Sequence, residues 1–257
     1  MIRPKPPIFE TFAAAFGDVA DFTLRAPGLM VVIILASALV YALDALVAAR
    51  FGTAGAVSAL WFVFPSLAAS CAIYAPLVTL LSRRVILWEE PSLVPLRLDL
   101  FGEVFVASWR LMAVAAAPLL ILVLVLSEGS LFPPDGEADV AATVVAGVAL
   151  LCGLASLAWA FVAYVRFFLL VTAVAVEERG AGLRSAWAAS RGLTWRICAL
   201  IVPVFAVPLG ILLWLDGDPP SASVTRCLLL GVSETAVTTF LTALAARVYL
   251  CRSSPLA

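Results

Sequence analysis

Long apolar runs separated by short charged segments form the main pattern of this chain. Each run has about 18 or more residues, which as a helix is enough to cross roughly 30 Å of hydrocarbon. The pattern predicts six transmembrane spans, at residues 28–49, 56–82, 106–127, 140–165, 197–215 and 226–247. We therefore expect an all-α polytopic membrane protein made of one membrane domain, residues 1–257.

An amphipathic segment precedes each pair of spans. In the first segment Phe9, Phe12, Phe16 and Val19 recur at helical spacing, with acidic residues elsewhere around the helix. The segments PLRLDLFGEVFVASW and GLRSAWAASRG also mix apolar with charged positions. Such segments form helices that lie in the membrane interface with the apolar face down. The predicted unit is one interfacial helix followed by a transmembrane hairpin.

The predicted unit occurs three times along the chain. The arginines that begin the odd-numbered spans lie 85 and 86 residues apart, and those that end the even-numbered spans lie 82 and 81 apart. The two sets are Arg25, Arg110 and Arg196, and Arg84, Arg166 and Arg247. Quasi-repeats of about 1–90, 91–178 and 179–257 follow. Repeats often build transporters with a site at the repeat interface, but duplication of a stable hairpin explains them equally well.

The charge distribution predicts the orientation in the membrane. All but two of the 16 lysines and arginines, Arg50 and Arg226, fall on one side of the predicted spans. The positive-inside rule then places both termini in the cytoplasm, and we expect a multi-pass protein of a bacterial inner membrane. Acidic residues occupy the opposite loops: Glu128, Asp135, Glu137, Asp139, Asp216 and Asp218.

Composition narrows the possible chemistry. The chain is 64% hydrophobic and 13% charged, and it contains no histidine, so imidazole is excluded as a metal ligand or general base. The five cysteines have no metal-ligand spacing, and no phosphate-binding glycine loop occurs. We expect no metal, no cofactor, no nucleic-acid partner and no enzymatic activity; the lipid bilayer is the expected partner.

Polar residues inside the spans are the candidate site. Glu234 lies near the middle of the last span, beside Ser233 and Thr238. Asp44 and Tyr41 belong to a polar stripe with Ser37 on the first span, and a second stripe of Ser66, Ser70 and Tyr74 follows the second span. Side chains of this kind either bind a solute or proton in a cavity, or hydrogen-bond neighbouring helices. The predicted binding residues are Glu234, Asp44, Ser233, Thr238 and Tyr41.

Other span residues predict packing. A seam of small residues follows the fourth span at alternating steps of four and three, which lets two backbones approach closely. It comprises Ala142, Ala146, Ala149, Gly153, Ser156 and Ala160. Prolines at 65, 76, 118, 203 and 208 are expected to kink their spans and free a backbone carbonyl for another donor.

The segment RFFLLVTAVAVEERGAGLRSAWAASRGLTWRI, which begins at Arg166, resembles a pattern in a group of bacterial six-span membrane proteins. That group includes the membrane domain fused to some glycerophosphodiester phosphodiesterases. The residues that carry the resemblance are Arg166, Glu177, Ala186, Ser190, Gly192 and Trp195. The resemblance implies a six-helix bundle with interfacial helices and no particular activity.

Two hypotheses for the function follow. The first is a non-enzymatic scaffold or accessory protein for envelope or lipid homeostasis, with a protein partner in the membrane. The alternative is a channel or carrier for a small solute or proton, with Glu234 and Asp44 in its pathway.

Overall fold

A computed structural model describes residues 7–51, 55–91, 98–127, 140–215 and 224–253. All regular structure within these ranges is helical, so the predicted helical class is confirmed there. The acids predicted for the outer loops, from Glu128 to Asp218, lie outside the described residues. The helices are α1 Ile8–Arg25, α2 Pro27–Phe51, α3 Gly55–Leu87, α4 Leu98–Ser127, α5 Val140–Phe167, α6 Leu170–Ala175, α7 Leu183–Ala189, α8 Thr194–Leu215 and α9 Val224–Ser253.

Five helical segments in the described part of the chain are long and apolar enough to cross a membrane. They are Pro27–Val47, Phe64–Leu87, Leu98–Pro118, Gly147–Ala175 and Val224–Cys251. A sixth candidate is the pair Leu183–Ala189 and Thr194–Ala206, which is bent by 99°. The outer surface of the bundle suits lipid, since Leu150 and Leu151 of α5 are 66% and 67% exposed. The chain is a helical membrane protein.

The three predicted interfacial segments differ in form. The first is the separate helix α1, which buries Thr11, Ala15 and Phe22. The second does not form a helix of its own, because α4 runs without a break from Leu98 through the third span. No proline interrupts α4 before Pro118, so nothing in this segment ends the helix. The third is the short helix α7, followed by a turn through Gly192 at φ +78°.

Helix α9 is the centre of the bundle, and it packs against α1, α2, α3, α6 and α8. Leu244 and Ala246 of α9 are fully buried together with Leu77 and Leu81 of α3. A smaller core joins α4, α5, α6 and α7, and α3 and α6 link the two groups of helices.

Pro118 leaves one carbonyl of α4 without a donor in its own helix, and another helix supplies a hydrogen-bond donor to that carbonyl. A proline cannot donate to the residue four positions earlier, which here is Val114. The indole Nε1 of Trp159 on α5 donates to the Val114 carbonyl at 3.0 Å. In the same pair of helices, Ser156 of the predicted small-residue seam is buried, and α5 packs along α4. The carbonyl that loses its donor at Pro118 therefore gains one from the neighbouring helix.

Arginines close α3, α5 and α9 at one end of the bundle, which we call the arginine end. Arg247 donates twice to Asp18 of α1, at 2.6 Å in each bond. Arg166 lies over the Trp187 ring of α7, 5.1 Å from its centroid. Arg84 pairs with Asp21 of α1 at 3.2 Å. Each closing arginine thus contacts an amphipathic helix, which fixes that helix across the end of the bundle.

Two arginines and two acids at the arginine end form a closed ring of ion pairs. Asp21 pairs with Arg25 at 2.7 Å and with Arg84 at 3.2 Å, and Glu90 pairs with the same two arginines at 3.1 and 3.2 Å. The ring links the end of α1 to the end of α3 and the loop that follows it. Each charge has two opposite neighbours, so the ring is neutral.

Arg83 joins the loop after α3 to the loop after α6. It pairs with Glu89 at 2.6 Å and with Glu177 at 2.8 Å, which belong to the similar sequences WEE at 88–90 and VEE at 176–178. Both loops turn through a residue with positive φ, Trp88 at 61° and Glu177 at 59°. The loop after α3 and the loop after α6 therefore each contain a residue with positive φ, and each contributes an acid that pairs with Arg83.

The ring predicts a pH dependence of stability. The hydrogen bond from Arg25 holds the pKa of Asp21 below its usual range, against the opposing effect of desolvation, and Arg84 adds to the lowering. Because the folded state favours the carboxylate, its contribution to stability is complete above the ordinary aspartate pKa of about 3.9 and is lost as the pH falls below it. Asp21→Asn should lower the unfolding temperature in detergent at pH 7, and this difference should narrow below about pH 4.

The matched control is Glu10→Gln, an exposed acid on the same helix. It should leave the unfolding temperature unchanged at both pH values. An Asp21→Asn difference of equal size at pH 7 and pH 3 would contradict this account of the ring.

Candidate functional site

The polar stripes of α2 and α3 face each other along the hairpin. The Ser37 and Tyr74 hydroxyls lie 2.8 Å apart, and the Ser66 hydroxyl donates to Asp44 at 2.5 Å. The helices run antiparallel, so residues at the same depth meet in reverse order. The pairs are Ser37 with Tyr74 at one level and Asp44 with Ser66 at another, with Tyr41 and Ser70 between them.

Glu234 of α9 lies at this middle level, close to hydroxyl groups of both helices of the hairpin. Its carboxyl group lies close to the hydroxyl groups of Tyr41 of α2 and of Ser70 and Tyr74 of α3. A carboxylate has about four acceptor positions. The three neighbouring hydroxyl groups can therefore occupy most of its acceptor positions and leave about one for a further donor.

The Tyr74 hydroxyl is the hub of this network. It lies 2.8 Å from the Ser37 hydroxyl and 3.2 Å from the Thr235 hydroxyl, and it is also close to the Glu234 carboxyl group. A phenol has one hydrogen and two lone pairs. When that hydrogen points to Glu234, Ser37 and Thr235 donate to Tyr74 and every group has a partner. The hydroxyls then direct their positive ends toward the carboxylate.

Other hydroxyls of α9 bond to their own helix. Thr239 donates to the Thr235 carbonyl at 2.6 Å, and Thr242 donates to the Thr238 carbonyl at 2.7 Å. Such bonds to the preceding turn satisfy a buried threonine without another helix. The hydroxyls of Thr239 and Thr242 are therefore already occupied, in contrast to Glu234, whose partners come from two other helices.

Gly231 sets the approach of α9 to α2. A β-carbon built at Gly231 would lie 2.8 Å from the Ile34 carbonyl oxygen and 3.0 Å from the Ala38 nitrogen. Both neighbours are backbone atoms, so they cannot turn aside as a side chain can. Tyr41 of α2 and Glu234 of α9 each lie about one helical turn from this contact, and their side chains lie close together. The contact at Gly231 thus brings the two side chains together.

A cavity of about 200 Å³ lies beside Glu234, between α3, α4, the α5–α6 segment and α9. Along α9 the lining extends from Glu234 to Ala245, which is about 16 Å of helix. Most of the lining is apolar. The polar members besides Glu234 are Ser70, Tyr74, Ser108, Tyr164, Thr172, Thr238 and Thr242.

The structure brings together some of the predicted site residues. Glu234 and Thr238 line the cavity, and Tyr41 supports Glu234 from the side of α2. Asp44 instead accepts from Ser66 and is not among the cavity-lining residues, and Ser233 is partly exposed beside the cavity lining. Among the described residues no group of three or more potential metal ligands lies together.

Sequence reasoning missed the far wall of the cavity. Ser108, Tyr164 and Thr172 come from α4, α5 and α6. Thr172 lies in an apolar stretch, and Ser108 and Tyr164 each lie two residues before an arginine. None of the three has the spacing of four or three to other polar residues that marked the α2 and α3 stripes. The positions had no pattern that identified them. The role of Gly231 had a weak signal, since it is a small residue one turn from an acid inside a span.

Comparisons with protein-family models, curated proteins and solved structures find no match to this chain. The resemblance of the segment around Arg166 to six-span bacterial membrane proteins stays a prediction.

The contact at Gly231 yields a prediction about packing. Gly231→Ala should destabilise the bundle by about 1–3 kcal/mol, because the added methyl group meets rigid backbone and forces the helices apart. The control is Gly147→Ala on α5, where an added β-carbon meets nothing within 4 Å. Unfolding in a series of mixed detergent micelles should show a loss for Gly231→Ala and no loss for Gly147→Ala. Equal stability of the two variants would contradict the close approach.

Proposed function

We propose that this protein is a channel or carrier for a small solute, with Glu234 in its pathway. The observation that supports this most is the position of Glu234, whose carboxyl group faces the interior of the bundle and lines a cavity. An acid that served only to join helices would need no adjoining space. Intramembrane acids that face a cavity mark substrate and ion pathways in membrane proteins.

The proposal includes the arrangement in the membrane. We infer six spans in three units, with the bent pair α7 and α8 supplying the fifth span. The ends of α3, α5 and α9 support the repeat, because each carries an arginine that contacts an amphipathic helix. The concentration of arginines at that end supports a cytoplasmic location for it and for both termini, in a bacterial inner membrane.

A scaffold or accessory role in envelope or lipid homeostasis is the second candidate. It is favoured by a groove of about 580 Å³ at the arginine end, lined by Asp99, Glu103 and Arg110 of α4 and by Leu183 of α7. A groove with exposed charges at the membrane surface suits a protein partner. Repeated co-purification of one stoichiometric partner from native membranes would favour this role, and recovery of the protein alone would count against it.

Flux measurements test the transport proposal. Proteoliposomes that contain the wild type should show protein-dependent flux of at least one member of a panel of ions and small solutes. Glu234→Gln keeps the shape of the side chain but removes its charge, so we expect a loss of about tenfold or more. Glu10→Gln, which changes an exposed acid on α1, should keep the wild-type flux.

Two results would contradict the proposal. No flux of any panel member through the wild type would exclude transport of these solutes. Flux that Glu234→Gln leaves unchanged would remove Glu234 from the pathway.

A further inference from the structure

The charge of the cavity lining limits what the cavity can bind. Among the lining residues, all of which lie in the described part of the chain, Glu234 is the only carboxyl group and none is a lysine or arginine. The arginines Arg84 and Arg247 are paired with Asp21 and Asp18 at the arginine end. The cavity thus offers one acidic group to a ligand and no basic group.

The hydroxyl groups beside Glu234 leave its carboxyl group available to a ligand. Tyr41, Ser70 and Tyr74 supply neutral hydroxyl groups, whose dipoles stabilise a carboxylate but do not neutralise it. In surroundings of low dielectric constant, an ionised carboxylate attracts a cation far more strongly than it does in water. It repels an anion by the same amount. The remaining acceptor position of the carboxylate suits an N–H donor that carries a positive charge.

The rest of the lining suits an organic cation better than a metal ion. Tyr74, Tyr164 and Phe168 contribute aromatic rings, and Leu67, Leu111 and Met112 are apolar. Aromatic faces attract ammonium groups and pack against apolar ligand carbons. A hard metal ion instead needs about six oxygen ligands, and among the described residues no cluster of three or more candidate ligands occurs.

The size of the cavity sets the scale of the ligand. Its volume of about 200 Å³ is below the roughly 300–1,000 Å³ of pockets for drug-sized molecules. A single aromatic ring on a short ammonium chain is of suitable size. We propose that the cavity binds a small lipophilic organic cation of the arylalkylammonium class, with its ammonium group on Glu234 and its ring against Tyr164 and Phe168. This inference rests on the proposed function.

Binding measurements with three ligands of similar shape test the inference. The full chain in nanodiscs of zwitterionic lipid is titrated calorimetrically with 2-phenylethylammonium, with neutral 2-phenylethanol and with anionic 3-phenylpropionate. Empty nanodiscs correct for partition into lipid. The cation should bind about ten- to a hundredfold more tightly than the alcohol, as expected for one hydrogen bond to a charged group, and the anion should not bind.

Substitution of the acid makes the test specific. Glu234→Gln should reduce the affinity for the cation to that for the alcohol, whereas the affinity for the alcohol should stay unchanged and show that the cavity has kept its shape. Glu10→Gln should bind all three ligands as the wild type does. Equal affinity of the wild type for the cation and the alcohol would overturn the proposed ligand class.

The flux assay separates this inference from the proposed function. If none of the three ligands binds while the wild type still transports a member of the solute panel, the ligand class is wrong and the transport proposal stands. If ligand binding and flux are both absent, both proposals are wrong.

Discussion

Water is absent from the interior of a bilayer, so a carboxyl group placed there must find its hydrogen-bond partners within the protein. Hydroxyl groups of two other helices lie beside Glu234, and this requires α2, α3 and α9 to lie close together at one depth. Gly231 permits that approach, because even one methyl group at this position would collide with the α2 backbone. The position of the acid and the packing of the central helices therefore depend on each other.

The arginine end holds the same helices by a different interaction. Asp18 and Asp21 on α1 bind the arginines that end α9 and α3, and Arg83 bridges the loops after α3 and α6. These pairs are partly exposed, and isolated surface pairs contribute little to stability. Their role here is positional, because they hold an amphipathic helix and two loops against particular helix ends. The cavity lies between the arginine end and Glu234. The ion pairs hold the helices together on one side of it, and the contacts around Glu234 and Gly231 hold them on the other.

Sequence patterns predicted the parts of this arrangement that repeat along a helix. The stripes containing Tyr41 and Tyr74 had spacings of four and three, and a hairpin brings such stripes together at matching depths. The prolines predicted that a freed carbonyl would need another donor. Trp159 donates to the carbonyl that Pro118 frees. The wall formed by Ser108 and Tyr164 was not foreseen, since single polar residues have no period. The break expected before the third span was also wrong, because local amphipathicity does not end a helix that lacks a proline or cap.

Access of a cation to the cavity is the most direct test of the account. In a variant with the native cysteines replaced, Thr238→Cys places a thiol in the cavity lining, and Val232→Cys places one on a residue that is 47% exposed on the apolar surface. The rate of modification by a methanethiosulfonate that carries an ammonium group is measured for both in proteoliposomes. We predict fast modification at position 238, slowed by Glu234→Gln, and slow modification at position 232. Equally slow modification at both positions would contradict a cavity that admits cations to Glu234.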